Sequence, residues 1–331
     1  MTAMTATAKQ DVKEKDPTAH RLIGWVLHNV VWIWLVALVL GFGLFNEFFL
    51  TVLNLQNITV QATVLGILGL AVALPLLVAE IDLSIPANLG FSSAIGALAY
   101  SSVGLPWFPA MLIGVGVATL IGFFNGVCIT KLRMVSLIET LSMMIILQGA
   151  LLAITQGKTL TNLSDGYVWI GQASIGGWPI MPLIFVIALV VIGVMLRMTV
   201  LGRSIYAVGG NPAASNSAGI RVDRIKILTY TISGFLAGVA GFLLASWQMA
   251  ITSNQGSSYL LYAIAAPIIG GVSVFGGRGN VVGILGGVLL LTVIQVGLAI
   301  INIPSFYVGM IGGFMIFIAV AIDAIRVRYF A

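Results

Sequence analysis

Apolar runs of about 20 residues, following one another almost from end to end, constrain this chain more than any other feature. A run of that length spans the hydrocarbon core of a bilayer as a helix. Helix is the default because lipid offers the backbone no hydrogen-bond partner. The runs are too long and too continuous for the alternating strands of an outer-membrane barrel. Ten candidate spans fall at roughly 23–45, 58–79, 86–100, 108–129, 135–155, 179–197, 226–250, 260–275, 281–301 and 305–322, some of them short or broken by Gly and Pro. Composition agrees, with 60% of the residues hydrophobic and 8% charged, where a soluble domain carries about a quarter charged. A soluble enzyme, a disordered tail protein and a nucleic-acid-binding domain are excluded. The fold class expected is an all-α integral membrane protein of about ten transmembrane helices. The 39 glycines suit close helix packing in lipid.

Charge sets the orientation. If the amino end lies inside, Lys9, Lys13, Lys15, Arg21, Lys131, Arg133, Arg197, Arg203, Arg221, Arg224, Lys226, Arg278, Arg326 and Arg328 all fall on the inner side, and Lys158 alone falls outside. So one-sided a distribution follows the positive-inside rule and requires an even number of spans with both termini cytoplasmic. Eight spans satisfy this as well as ten, and ten is preferred. Residues 1–22 read as a cytoplasmic tail, 23–325 as one membrane domain and 326–331 as a second tail. The first run, from Leu22 to Leu44, is too long for a secretory signal and lacks a small-residue cleavage site, so a retained span is expected. The outer segment 157–178 carries Asp165, Trp169 and Trp178, and its aromatics suit the membrane–water boundary. Leu74 to Asn88 and Ala266 to Asn280 are both apolar runs broken by small and polar residues, a weak hint of repetition.

Few residues can carry chemistry. One cysteine, Cys128, permits no internal disulfide framework, and the two histidines, His20 and His28, both sit near the start, so no metal site is expected. No catalytic motif is present. Gly270-Gly271 and Gly276-Gly277-Arg278-Gly279 resemble a phosphate loop only superficially. They lack the strand–turn–helix setting and the Lys-Ser/Thr that would follow, and a tight turn between spans is the simpler account.

The inner segment from Leu201 to Lys226 is the most informative. Gly209-Gly210 is expected to turn the chain. Asn211 can cap a helix whose first residue is Pro212. Ala213, Ala214, Ser215 and Asn216 continue it, and Gly219 ends it with positive φ. A helix this short buries too little to stand alone and is suited to a partner's groove. An ordinary connecting loop is the competing account.

These residues resemble a family. Gly-Arg-Ser-Ile-Tyr-Ala-Val-Gly-Gly-Asn-Pro-Ala-Ala at 202–214, with Ala218-Gly219-Ile220 beyond it, is similar to the coupling loop of bacterial ABC importer permeases of the ribose branch. Ile81-Asp82-Leu83-Ser84 resembles that branch's Gly-Ile-Asp-Leu-Ser element, and 263–279 its late glycine-rich motif. Asn125-Gly126 and Thr140-Leu141 match smaller elements. The resemblance implies a homo- or heteromeric pair of permease subunits and two cytoplasmic ATPase subunits that bind ATP and Mg. It implies a docking helix at Asn211–Gly219 and a periplasmic or lipid-anchored binding protein that delivers a pentose, hexose, polyol or furanosyl signal. The chain itself would be no enzyme and hold no cofactor. It departs from the family at Glu80, Pro86, Asn88, Glu139 and Tyr262.

Candidates for the translocation path are the polar residues within spans: Asp82, Asn125, Glu139, Gln148, Gln248 and Gln295. Each has a structural alternative. Asp82 or Ser84 can cap the helix that begins near Pro86. Glu80 can face the pore or the inner surface. Glu139 can touch cargo or pair with a neighbouring helix, with Gln148, nine residues on, expected on a similar face. Asn125, Gln248 and Gln295 can bond across helices. Arg221 and Arg224 can meet ATPase acids or lipid headgroups, and Lys226 is expected at headgroups. The rival class is an ion- or proton-coupled secondary transporter using Asp82 or Glu139. It has no need of a Pro-capped inner helix. An intramembrane enzyme would need paired catalytic groups, and none is seen.

Overall fold

A computed structural model describes residues 17–161, 163–304, 307, 309–314 and 317–318, with side chains from Asn29 onward. The tails expected at 1–22 and 326–331 lie largely or wholly outside the described residues, as do parts of the span expected at 305–322. Among the described residues the named helices follow in order: α1 (Pro17–Phe45), α2 (Val52–Leu77), α3 (Ile85–Ser101), α4 (Trp107–Lys131), α5 (Ser136–Thr155), α6 (Asp165–Gln172), α7 (Met181–Met198), α8 (Val200–Gly210), α9 (Pro212–Ser217), α10 (Val222–Gln248), α11 (Leu260–Ile269) and α12 (Val281–Ile300). A short antiparallel pair, β1 (Ser174–Ile175) and β2 (Trp178–Pro179), departs from an all-α chain among the described residues. Six helices, α2, α4, α5, α7, α10 and α12, are long and apolar enough to cross a membrane, and α1 and α11 add shorter apolar stretches among the described residues. This is a multi-pass helical membrane protein.

Contacts between distant segments sort the connectors into two ends. At one end Lys131 pairs with Asp223 at 2.8 Å, Lys226 pairs with Glu80, and Gly277 N–H donates to the Leu77 carbonyl at 3.0 Å. At the other, Gln56 donates to Gly177 O at 2.7 Å, Gly171 N–H donates to Ser246 Oγ at 2.7 Å, and Leu160 bridges Ile251. The first end carries Lys131, Lys226 and the loop of Arg278, among the basic residues expected inside.

The centre is a seam of α3, α4 and α10. A Cβ on Gly114 would stand 2.7 Å from the Ser92 carbonyl, on Gly122 2.3 Å from the Tyr230 carbonyl, and on Gly234 2.4 Å from the Ala118 carbonyl. Small residues let these backbones approach. Within lipid, apolar surface gains nothing by choosing protein over tail, so closeness of packing does the holding. α2 is buried along nearly its whole length, whereas α5 and α7 expose most of their apolar side chains.

The hint of repetition has a structural basis. Pro75 O accepts from Glu80 N–H at 3.0 Å, and Pro267 O accepts from Val272 N–H at 2.9 Å. Leu76 O accepts from Ala79 N–H, and Ile268 O from Gly271 N–H. Ala79 (φ 60°) and Gly271 (φ 86°) both turn left-handed. These are two Schellman endings in the same register relative to proline, closing α2 and α11. The helices after them, α3 and α12, begin at Ile85 and Val281.

Candidate functional site

A polar cluster lies where α2 breaks before α3. Asp82 Oδ1 accepts from Ser84 N–H at 2.9 Å and from Ser84 Oγ–H at 2.6 Å. Asn125 places its amide nitrogen 3.3 Å from Glu139 Oε1 and 3.2 Å from the Ile121 carbonyl, with its oxygen 2.9 Å from Ser84 Oγ. Thr140 Oγ1 accepts from Leu83 N–H at 3.2 Å. Asp82, Ser84, Asn125, Glu139 and Thr140 are all buried. A loop and two helices, distant in sequence, are joined by groups that lipid could not satisfy. Asp82 thus folds back on the loop as an Asx turn. Neither it nor Ser84 makes the expected side-chain bond to the first turn of α3, and Ser84 stands at the cap position without one.

The structure separates the six path candidates. Asp82, Asn125 and Glu139 come together, all buried, with Ser84 standing between Asp82 and Asn125 and the Asn125 amide facing Glu139. Gln148 does not join them. At about 100° per residue, nine residues amount to two and a half turns, so Gln148 faces away from Glu139 and the expected shared face is corrected. Gln248 is exposed at the last residue of α10 and does not join the cluster. Gln295, on α12, is hydrogen-bonded to Tyr262 of α11 and lines an open cleft.

Two readings at the basic end are corrected. Lys226, expected at headgroups, is the ion-pair partner of Glu80, and both side chains are mostly buried. The chain positions that meet lie 146 residues apart, and no local spacing in the sequence links them. Gly209-Gly210, expected as a turn, form the last turn of α8. The chain bends at Asn211 instead. Gly209 is where α8 touches the end of α2: a Cβ there would fall 1.8 Å from the Leu77 carbonyl and 2.6 Å from the Gly277 nitrogen. The ends of α2 and α8 and the glycine loop after α11 therefore share one junction. Tyr206 Oη donates to the Gly279 carbonyl at 2.8 Å, and burial pushes the hydroxyl's pKa up, keeping it a neutral donor.

Beyond the junction stands α9. Asn211 Oδ1 accepts from Ala214 N–H at 3.0 Å, capping a helix that opens on Pro212. Ser215 O accepts from Ile220 N–H at 3.0 Å, and Gly219 has φ 83°, so the helix closes with its own left-handed glycine. Pro212, Ala213, Ala214, Asn216 and Gly219 are exposed, and Ser215 alone of the helix turns inward. This segment is fixed at both ends and uncovered between them.

Comparison with known proteins matches this arrangement. Residues 54–320 match the family described as branched-chain amino acid transport system/permease component. The ribose import permease protein of Bacillus subtilis (strain 168) is 36% identical over 291 residues, covering 87% of this chain and 90% of that one. The ribose import permease protein of Haemophilus influenzae is 33% identical over 314 residues, covering 93% and 97%. The D-allose transport system permease protein of Escherichia coli (strain K12) is 33% identical over 321 residues, covering 96% and 98%. With one family covering most of its length and relatives matched nearly end to end, the chain belongs to this family of transport-system permease components.

Proposed function

We propose that this chain is the membrane-spanning subunit of an ATP-driven ABC importer in a bacterial cytoplasmic membrane. It would cross the membrane ten times, with both termini cytoplasmic. The observation that carries the reading is α9, a capped, rigid, uncovered helix at the basic end, mounted on the junction of Gly209, Leu77 and Gly277. Asn211, Pro212, Ala213, Ala214, Ser215, Asn216 and Gly219 would form the element that docks on a separate ATPase subunit, which binds ATP and Mg. Displacement of α9 passes through α8 to the end of α2, and from there to the loop that carries Asp82. Pairing with a second permease subunit completes the assembly, and a binding protein delivers solute to the opposite end. The relatives' names point to a neutral sugar as cargo.

The buried cluster of Asp82, Asn125 and Glu139 serves this reading as a brace that holds α3, α4 and α5 together while the junction moves. The test is gentle affinity purification from native membranes, then reconstitution in proteoliposomes. A stoichiometric ATPase and ATP-dependent uptake of D-ribose or D-allose are expected. Isolation of the chain alone, with uptake that follows an ion gradient, would overturn the reading. Ala214→Trp would leave insertion intact and uncouple hydrolysis from uptake. Normal uptake in that variant would count against docking through α9.

A further inference from the structure

Among the path candidates, Gln295 is the one that lines a cleft. The cleft has a volume of about 760 Å³, and its lining includes Ser257, Ser258, Tyr259, Tyr262, Gln295 and Asn302. That volume falls within the range of small-molecule sites, about 300–1,000 Å³. The cleft lies at the end of the bundle opposite the Glu80–Lys226 pair, where α12 finishes and α11 begins. Gln295 is five residues before the end of α12, so the cleft reaches about 8 Å down the helix at 1.5 Å per residue.

Its chemistry is unlike the rest of the exposed surface. α5 and α7 present Leu, Ile and Val outward, as a lipid-facing surface must. Around the cleft the described residues set hydroxyls and amides among the apolar Leu261, Ala299 and Ile303, with no acidic or basic side chain. Ser257, Ser258 and Asn302 are exposed. Groups of this kind at membrane depth are retained where water, a partner or a polar solute meets them. Tyrosine adds an apolar ring face beside a polar hydroxyl, which suits the mixed C–H and O–H surface of a sugar. The absence of charge suits a solute that must pass without being held.

The geometry points to this cleft as the mouth of the solute path, taking an uncharged polyhydroxylated solute along α11 and α12 and leaving the Asp82–Glu139 cluster as internal bracing. The inference rests on the importer reading above and assigns its path to a different set of residues.

Cysteine access tests it in the reconstituted complete transporter. Cys128 is buried, so the native thiol is a quiet background. Ser258→Cys and Asn302→Cys would each be exposed to a membrane-impermeant cationic methanethiosulfonate, with D-ribose and D-allose uptake measured before and after. A water-filled path predicts modification within minutes and a drop in uptake of at least fivefold at both positions. Tyr262→Phe and Gln295→Ala would raise the KM for uptake several-fold while ATP hydrolysis stimulated by the binding protein persists. Thiols that stay unmodified, or that are modified with uptake intact, would overturn the assignment. The importer reading fails separately, if the native transporter shows no ATP-dependent uptake at all.

Discussion

The ends of α2 and α11 are built alike and used differently. Each carries a proline four residues before a left-handed residue, and each closes with the same six-to-one hydrogen bond, from Glu80 N–H to Pro75 O and from Val272 N–H to Pro267 O. After α2 the chain turns polar and charged. Glu80 pairs with Lys226, and Asp82 binds Ser84. After α11 the chain turns to glycine, with φ positive at Gly276, Gly277 and Gly279. The first end is held by side chains reaching to α4, α5 and α10. The second is held by backbone, as Gly277 N–H meets the Leu77 carbonyl. One helix ending thus yields an anchored post and a close-fitting saddle, and α8 sits where the two meet. A coupling helix mounted there, the role proposed for α9, would move both at once.

The largest effect should come from Gly209, which touches both ends. A valine there would place side-chain carbon against the Leu77 carbonyl and the Gly277 nitrogen. Overpacking ordinarily costs about 1–3 kcal/mol, and backbone this close leaves no flexible neighbour to yield. Gly209→Val should lower the thermal unfolding temperature in detergent strongly and abolish uptake. Gly210→Ala should change little, because nothing lies within 4 Å of its added carbon. Equal effects at the two glycines would show that the junction is not the cause.

Next comes Glu80, where the post can be broken without touching the saddle. Removing one partner of a mostly buried pair strands the other charge, at a cost of about 3 kcal/mol or more. Glu80→Gln should therefore destabilise the chain by about that much. Glu80→Gln with Lys226→Met should recover most of it, since an apolar replacement of both partners strands nothing. A double variant as unstable as the single one would mean that packing, and not charge, holds α2 to α10.

The two left-handed residues give a smaller and more direct comparison. Ala79 takes φ 60° with a Cβ, and Gly271 takes φ 86° without one. Left-handed backbone costs an L-residue about 1 kcal/mol. Gly271→Ala should destabilise by about that amount, since nothing lies within 4 Å of its added carbon. Ala79→Gly should stabilise by somewhat less, because glycine also gains freedom in the unfolded chain. Thermal unfolding of the two variants should shift in opposite directions.

Much of this was legible in the sequence, and the reason is physical. Lipid forces helices and forbids unsatisfied backbone, so apolar run length alone locates α2, α4, α5, α7, α10 and α12 to within a few residues at most boundaries. The capping of α9 was legible because Asn211, Pro212 and Gly219 act within one turn of where they stand. What was not legible depends on distance. Lys226 and Glu80 meet only because α2 and α10 pack together. Gly209 looks like a turn residue until the Leu77 carbonyl is seen beneath it. Asp82 was legible as a local hydrogen-bonding residue, but its link through Ser84 and Asn125 to Glu139 required the crossing of α3, α4 and α5. Composition could flag Gln295 as polar within a span, but not that α11 and α12 leave a cleft beside it.

The smallest effect should come from Lys131, and its smallness tests the account of Glu80. Lys131 and Asp223 pair at 2.8 Å at the same end of the bundle, tying α4 to α10 as Glu80 and Lys226 tie α2 to it. The distance is good, but the side chains are 58% and 38% exposed. Water solvates each charge whether or not the partner is present, and ordering two long side chains opposes the attraction. Exposed pairs of this kind contribute about 0–0.5 kcal/mol, less as salt rises. Lys131→Ala should therefore shift unfolding by no more than a degree or two, and high salt should erase the difference. Glu80→Gln should keep most of its effect in the same salt, because its partner is shielded from solvent. If Lys131→Ala proved as damaging as Glu80→Gln, burial could not be what distinguishes the two tethers, and the anchored end of α2 would owe its rigidity to charge number at the basic face instead.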